Sequence, residues 1–138
     1  MAISFKTYHS LILIFDLSLT KVLLKNTNDK YDGFLYLNDN KKIEEAELCK
    51  KLFIDTNIEI NPKDLRIVTS LQNIYKEYHI NIFMTIANLE NTINTKQDLI
   101  IMNTNEISNQ CHPNLKWLIP LSNDVSVYGS RFNQILMK

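Results

Sequence analysis

Short apolar runs separated by polar turns recur along this chain, a pattern that predicts β-strands. The run HSLILIFD predicts a central strand, and KVLLK predicts its partner in a hairpin. The segment from Asn26 to Gly33 has the composition of a loop. The predicted strands lie at residues 9–16, 21–25, 34–37, 65–73, 79–88 and 98–103.

A helical pattern replaces the strand pattern between Lys41 and Thr56, where Asp39 or Asn40 is the predicted N-cap. One face of this helix is apolar and is expected to pack against the core; it consists of Ile43, Ala46, Leu48, Cys49, Leu52 and Phe53. Acids and a lysine line another face at helical spacing: Glu44, Glu47, Lys51 and Asp55. Further on, NLKWLIPL predicts a short helix from Asn114, and RFNQILMK predicts a late strand or a terminal helix.

The composition is that of one soluble globular domain spanning residues 1–138. Fifteen basic and fifteen acidic residues give zero formal charge, which disfavours general binding to nucleic acid. Apolar runs are shorter than the roughly 20 residues of a membrane helix, and we expect no membrane partner and a cytoplasmic location. The two cysteines, Cys49 and Cys111, are interpreted as reduced and buried.

The order of these elements resembles a Nudix domain, the fold of the pyrophosphohydrolases. KVLLK is similar to an early strand of that family, and HPNLKWLIPLS resembles a late segment of phage-type Nudix proteins that act on nucleotides. This resemblance implies a Nudix-like α/β/α sandwich with a mixed β-sheet. It also suggests a viral origin, in which case the expected location is the cytoplasm of the host.

The Nudix signature is a box of one glycine, one glutamate and an Arg-Glu-aliphatic-x-Glu-Glu-x-Gly run. Laid over the box without a gap, this chain departs from it at nearly every functional position. Gly33 matches a glycine just upstream of the box, and Asn57 replaces the closing glycine, although asparagine also adopts the left-handed conformation of a helix end. Tyr36 replaces the opening glycine, Lys42 the first glutamate, Lys50 the arginine, Lys51 the next glutamate, and Ile54 with Asp55 the glutamate pair.

These replacements bear directly on the family's chemistry. Cleavage of a diphosphate uses Mg²⁺ held by helix carboxylates at i, i+3 and i+4, and these positions are here Lys51, Ile54 and Asp55. We therefore expect no metal and no cofactor, and interpret the protein as a pseudoenzyme. Lys51 is expected to pair with Glu47 and Asp55, each four residues away, so that the helix needs no cation for charge balance. Tyr36 is expected to fill part of the phosphate cradle.

Each candidate site residue also has a purely structural interpretation. Lys42, Lys50 and Lys51 either bind phosphate as fixed cations or form a solvated helix face. Glu44 and Glu47, with Asp55, either regroup into a displaced metal site or are ordinary surface acids. Trp117 either stacks on a nucleobase, near the position of the family's base pocket, or packs in the core, and Tyr36 carries the same ambiguity.

Three functions remain open on these grounds. The first is binding or sequestration of a nucleotide or a related phosphate ligand in the old cleft, without hydrolysis. The second is a protein-interaction scaffold, which for a viral protein would act on host machinery. The third and weakest is residual hydrolysis of nucleoside-diphosphate-linked compounds by regrouped acids.

Overall fold

The structure is a computed structural model that describes residues 5–90 and 98–136. Within these ranges the chain forms a seven-stranded mixed sheet and two α-helices. The strands are β1 (Thr7–Phe15), β2 (Lys21–Thr27), β3 (Lys30–Asp32), β4 (Phe34–Asp39), β5 (Arg66–Asn73), β6 (Tyr78–Ile86) and β7 (Leu99–Asn103). The helices are α1 (Glu45–Thr56) and α2 (Leu115–Leu136), and a short 3-10 turn spans Pro62–Asp64.

Strand β1 is the centre of the sheet. It runs parallel to β6 along its whole length, and β5 pairs antiparallel with β6. The other edge of β1 is shared, because β4 pairs antiparallel with residues 7–12 and β2 pairs with residues 14–15 through the predicted hairpin. Strand β2 also pairs with β3 and β7.

The two helices cover opposite faces of the sheet, because successive side chains of a strand point to opposite sides. Ile12 and Ile14 of β1 belong to the apolar cluster that includes Leu48 and Leu52 of α1. Leu11, Leu13 and Phe15 belong to the cluster that includes Leu115 and Leu118 of α2. This layering confirms the predicted α/β/α arrangement with a mixed sheet.

Helix α1 starts later than the pattern predicted. Asn40 has a left-handed φ of 70°, and the Asn38 side chain donates a hydrogen bond to the Lys41 carbonyl, so the chain turns before it becomes helical. The N-cap is Glu44, in extended conformation and without a side-chain capping bond, rather than Asp39 or Asn40. Residues 41–44 are therefore a loop, which Ile43 anchors in the core.

The apolar face of α1 is also narrower than predicted. Leu48, Cys49 and Leu52 are buried, as expected, and Leu52 is 0% exposed. Phe53, which was expected in the core, is 48% exposed, and Ala46 is exposed as well. Phe53 and Ala46 lie outside the face of α1 that packs against the sheet, so the core does not bury them.

Two further segments differ from expectation. Residues 30–32 were predicted as part of a loop but form strand β3. Backbone pairing with β2 stabilises this strand although its residues are polar. The short helix predicted from Asn114 and the described part of RFNQILMK both fall in the single helix α2 (Leu115–Leu136), which continues through Pro120; the last two residues of RFNQILMK lie outside the described residues. No helix in the described ranges is long and apolar enough to cross a membrane.

Candidate functional site

The end of α1 lies where the box alignment places it. Asn57 follows the helix with φ 61° and ψ 20°, and its backbone N–H donates to the Phe53 carbonyl at 2.8 Å. This is the left-handed conformation that glycine or asparagine adopts at a helix end. The prediction that Asn57 adopts the left-handed conformation at the end of this helix is confirmed.

Gly33 has a packing role in the structure. It separates β3 from β4 and lies directly against β1. A Cβ atom at this position would stand 2.7 Å from Leu13 Cδ2 and 2.8 Å from the Ile12 carbonyl oxygen. Only glycine lets the chain pass so close to the central strand.

The sheet and α1 bring Tyr36 of β4 into contact with Asp55 of α1. The Tyr36 hydroxyl donates a hydrogen bond to Asp55 Oδ2 at 2.5 Å. Lys25 Nζ, from the neighbouring strand β2, lies 4.0 Å from the same oxygen. A phenol from β4 and an ammonium from β2 thus both approach the same carboxylate oxygen.

The surroundings of Tyr36 favour the protonated form of its phenol. Burial raises the pKa of Tyr36 well above its ordinary value, and the hydrogen bond to Asp55 and the charge of that carboxylate raise it further. The phenol therefore keeps its proton and remains a donor at physiological pH. Because one Asp55 oxygen accepts from Tyr36 and lies beside the Lys25 ammonium, the carboxylate is hydrogen-bonded and its charge is partly balanced within the protein.

The expected pairing of Lys51 is wrong. Asp55 pairs with Lys25, and in the part of the chain that the structure describes Lys51 forms no ion pair with Glu47 or Asp55. Lys51 is half-buried on the flank of α1. Lys25 lies on the face of β2 that α1 covers, and from there its ammonium reaches the Asp55 carboxylate.

The remaining candidates on this side of the sheet are dispersed. Lys42 is exposed in the loop before α1, and Lys50 is exposed beside Phe53. Glu44 stands at the N-cap and Glu47 on the exposed first turn. Across residues 5–90 and 98–126, no three histidine, cysteine, aspartate or glutamate side chains converge on a common point.

Trp117 lies on the opposite face of the sheet from Tyr36, so the structure does not bring these two candidates together. Tyr36 packs against the α1 cluster, whereas Trp117 lines a groove of about 370 Å³ between α2 and strands β1, β5 and β6. Trp117 is 42% exposed, and its indole N–H donates to Asn114 Oδ1 at 3.2 Å. It is therefore partly available to a ligand rather than enclosed in the core.

The walls of this groove carry rings and carboxamides that the sequence pattern did not single out. His9 stacks on Tyr78, with ring centroids 5.1 Å apart and an interplanar angle of 20°. Burial lowers the pKa of His9, so the imidazole is neutral at physiological pH. Asn73, which pairs with Tyr78 and shares its face, and Asn114 add carboxamide groups to the same walls.

The sheet beside this groove is not covered by α2. Leu35 and Leu37 of β4 are exposed, and they pair with Leu11 and His9 of β1. Since paired residues in a sheet share a face, these leucines extend the apolar floor next to His9. A planar apolar ring could stack here, with hydrogen-bonding groups at its rim.

Comparison with known proteins supports the fold. No family model and no curated protein matches this sequence. Among solved structures, the chain is similar to a MutT/nudix family protein from Enterococcus faecalis, with a TM-score of 0.51 and 11% identity over 75% of this chain and 45% of that chain. A second similar structure is the MERS1–RNA complex of T. brucei, with a TM-score of 0.48 and 10% identity over 62% of this chain and 35% of that chain.

This chain therefore spans less than half the length of either of these proteins. Their low identity means that the likeness concerns backbone architecture and leaves substrate and partner undecided. Together with the layered mixed sheet described above, the first comparison identifies the fold as Nudix-like.

Proposed function

We propose that this protein is a Nudix-fold pseudoenzyme that binds a nucleotide without metal and does not hydrolyse it. The contact of Tyr36 and Lys25 with Asp55, on the α1 face of the sheet, carries the part of this proposal that concerns metal and hydrolysis. Mg²⁺ requires several oxygen ligands in near-octahedral geometry and gives up its water reluctantly. A single carboxylate already bonded to a phenol beside an ammonium is a poor competitor for that ion.

The groove beside α2 is the proposed site for the base. Trp117 offers an exposed face of a large aromatic ring, and His9 with Tyr78 offers a stacked pair on the sheet. Stacking on aromatic side chains contributes about 1–3 kcal/mol per base and tolerates any base identity. The amides of Asn73 and Asn114 would read the edge of the ring by hydrogen bonds.

Trp117 is the only tryptophan of the chain, so its fluorescence reports on this groove alone. Titration with nucleoside monophosphates in excess EDTA should produce saturable quenching. Nucleosides should act similarly, and inorganic phosphate alone should not. Tyr78→Leu should weaken binding measured by calorimetry, whereas Tyr75→Leu, at a position 99% exposed and outside the groove, should not. The absence of saturable quenching with every nucleotide would refute the base site.

A protein-interaction scaffold is the second candidate, and a specific apolar surface favours it. Phe53 and Ile54 are exposed on α1 and line an open groove of about 590 Å³ with Cys49 and Ile60. Ile54 stands where the family box has a carboxylate, so this change both removes a metal ligand and adds apolar surface. If nucleotides fail to bind, and Phe53→Ser with Ile54→Ser abolishes capture of a defined protein partner, the scaffold function takes precedence.

A further inference from the structure

A polar cleft, separate from the groove beside α2, lies at the C-terminal end of β6 on the α1 side of the sheet. Its volume is about 350 Å³, and it is bordered by the segment after α1, the 3-10 turn and the end of β6. The side chains that matter for binding there are Asn57, Glu59, Asp64, Thr85 and Asn88. Tyr78 of the base groove is seven residues before Thr85 on the same strand, a distance of about 23 Å at the rise of an extended chain.

Thr85 is the unusual residue of this cleft. It has the same strand parity as Phe83, which packs in the α1 cluster, so its side chain points to the α1 side. The residue is 2% exposed, and its hydroxyl has no hydrogen-bond partner in the structure. An unpaired buried hydroxyl is costly, and such groups in native proteins are usually satisfied by a ligand or water.

The rim of the cleft is acidic. Glu59 and Asp64 are both exposed, and within the described ranges neither forms an ion pair. Burial raises the pKa of the nearby Cys49 thiol, and the charges of Glu45 and Asp64 raise it further, which places a negative field on this side of α1. A bound group that donates hydrogen bonds and carries positive charge would satisfy both the hydroxyl and the rim.

We infer that this cleft binds a small organic cation of the guanidinium class. The guanidinium group is planar, always charged and carries several N–H donors in a fixed fork that matches carboxylates. One N–H would donate to Thr85 Oγ1, others would donate to the carbonyl oxygens of Asn57 or Asn88, and Glu59 and Asp64 would balance the charge. A divalent metal fits less well, because no group of three histidine, cysteine or acidic side chains occurs among the described residues.

The test is a titration of the ¹⁵N-labelled protein with methylguanidinium chloride, followed by amide chemical shifts. Saturable shifts should be confined to the segment after α1, the 3-10 turn and residues 85–88. Tetramethylammonium chloride, which has the charge but no N–H donor, should cause no such pattern. A general response to both salts, or no response to either, would overturn the inference.

Two variants separate the contributions of the hydroxyl and the charges. Thr85→Val keeps the shape of the side chain and should weaken methylguanidinium binding about tenfold, as expected for loss of a hydrogen bond to a charged group. Glu59→Gln with Asp64→Asn changes exposed residues only and should abolish saturation. Unchanged affinity in both variants would contradict the site. A saturating nucleotide should not compete, so failure of the base groove would leave this result intact.

Discussion

Removal of the Tyr36 hydroxyl tests the contact between Tyr36 and Asp55. Tyr36→Phe keeps the ring and deletes the donor to Asp55 Oδ2, whose 2.5 Å distance is typical of a charge-assisted bond. Hydrogen bonds to charged groups contribute about 1.5–3 kcal/mol, but Tyr36 and Asp55 are only partly buried, and solvent screening reduces this value. We therefore expect a loss of about 1–2 kcal/mol in the free energy of unfolding at neutral pH.

The assay is urea denaturation of the wild type, Tyr36→Phe, Asp55→Asn and the double variant, followed by circular dichroism. If the two side chains interact as the structure shows, the losses in the single variants should not add, and the double variant should be less destabilised than their sum. Asp55→Asn should cost more than Tyr36→Phe, because it also leaves Lys25 without its partner. Strictly additive losses would refute the contact.

The contribution of Tyr36 to the free energy of unfolding depends on pH in a definite direction. The pKa of Tyr36 is raised in the folded state, so the phenol keeps its proton where an unfolded tyrosine, with a pKa of about 10, loses it. The stability contributed by this group is therefore fully present below about pH 10 and is lost as the pH rises further. The advantage of the wild type over Tyr36→Phe should shrink above about pH 10; an advantage that grows there would contradict the assignment.

Three further predictions concern the fold and the lysines. Leu52→Ala should lower the free energy of unfolding by about 2–5 kcal/mol, whereas Phe53→Ala, at a half-exposed position, should lower it by less than about 1 kcal/mol. Equal shifts in the urea midpoint would mean that the faces of α1 are assigned wrongly. Gly33→Ala should cost about 1–3 kcal/mol from overpacking against β1, and an unchanged midpoint would contradict the close approach. If Lys42 and Lys51 bind phosphate, changing both to Glu should weaken the nucleotide affinity measured by calorimetry. The affinity of the wild type should also fall with added salt. An unchanged affinity would mean that the two lysines are solvated surface residues.

Much of the fold could be predicted because its periodicities are strong. The nearly continuous apolar runs of β1 and β6 follow from the burial of these strands on both faces, and the strands differ from prediction by only a few residues at their ends. The helix end at Asn57 also followed from the alignment, since few residues adopt the left-handed conformation easily. Strand β3 was missed because its polar residues are held by pairing with β2 rather than by burial of an apolar face.

The candidate site was less predictable because it depends on contacts between distant segments. Lys25 reaches Asp55 only because β2 and β4 both pair with β1 in the folded sheet, whereas local spacing pointed to Lys51. The stacking of His9 on Tyr78 likewise depends on the parallel register of β1 and β6. The resemblance to the Nudix box singled out Asp55 in the sequence, but it could not show that Tyr36 and Lys25 contact this carboxylate.

Calorimetric titration of the wild-type protein with a nucleoside triphosphate tests the central claim most directly, because it reports both binding and turnover. The account predicts the same affinity in excess EDTA and in excess Mg²⁺, with heats that return to baseline after each injection. Binding that requires Mg²⁺, or a continuous heat of hydrolysis that appears with Mg²⁺ and disappears in Asp55→Ala, would contradict it.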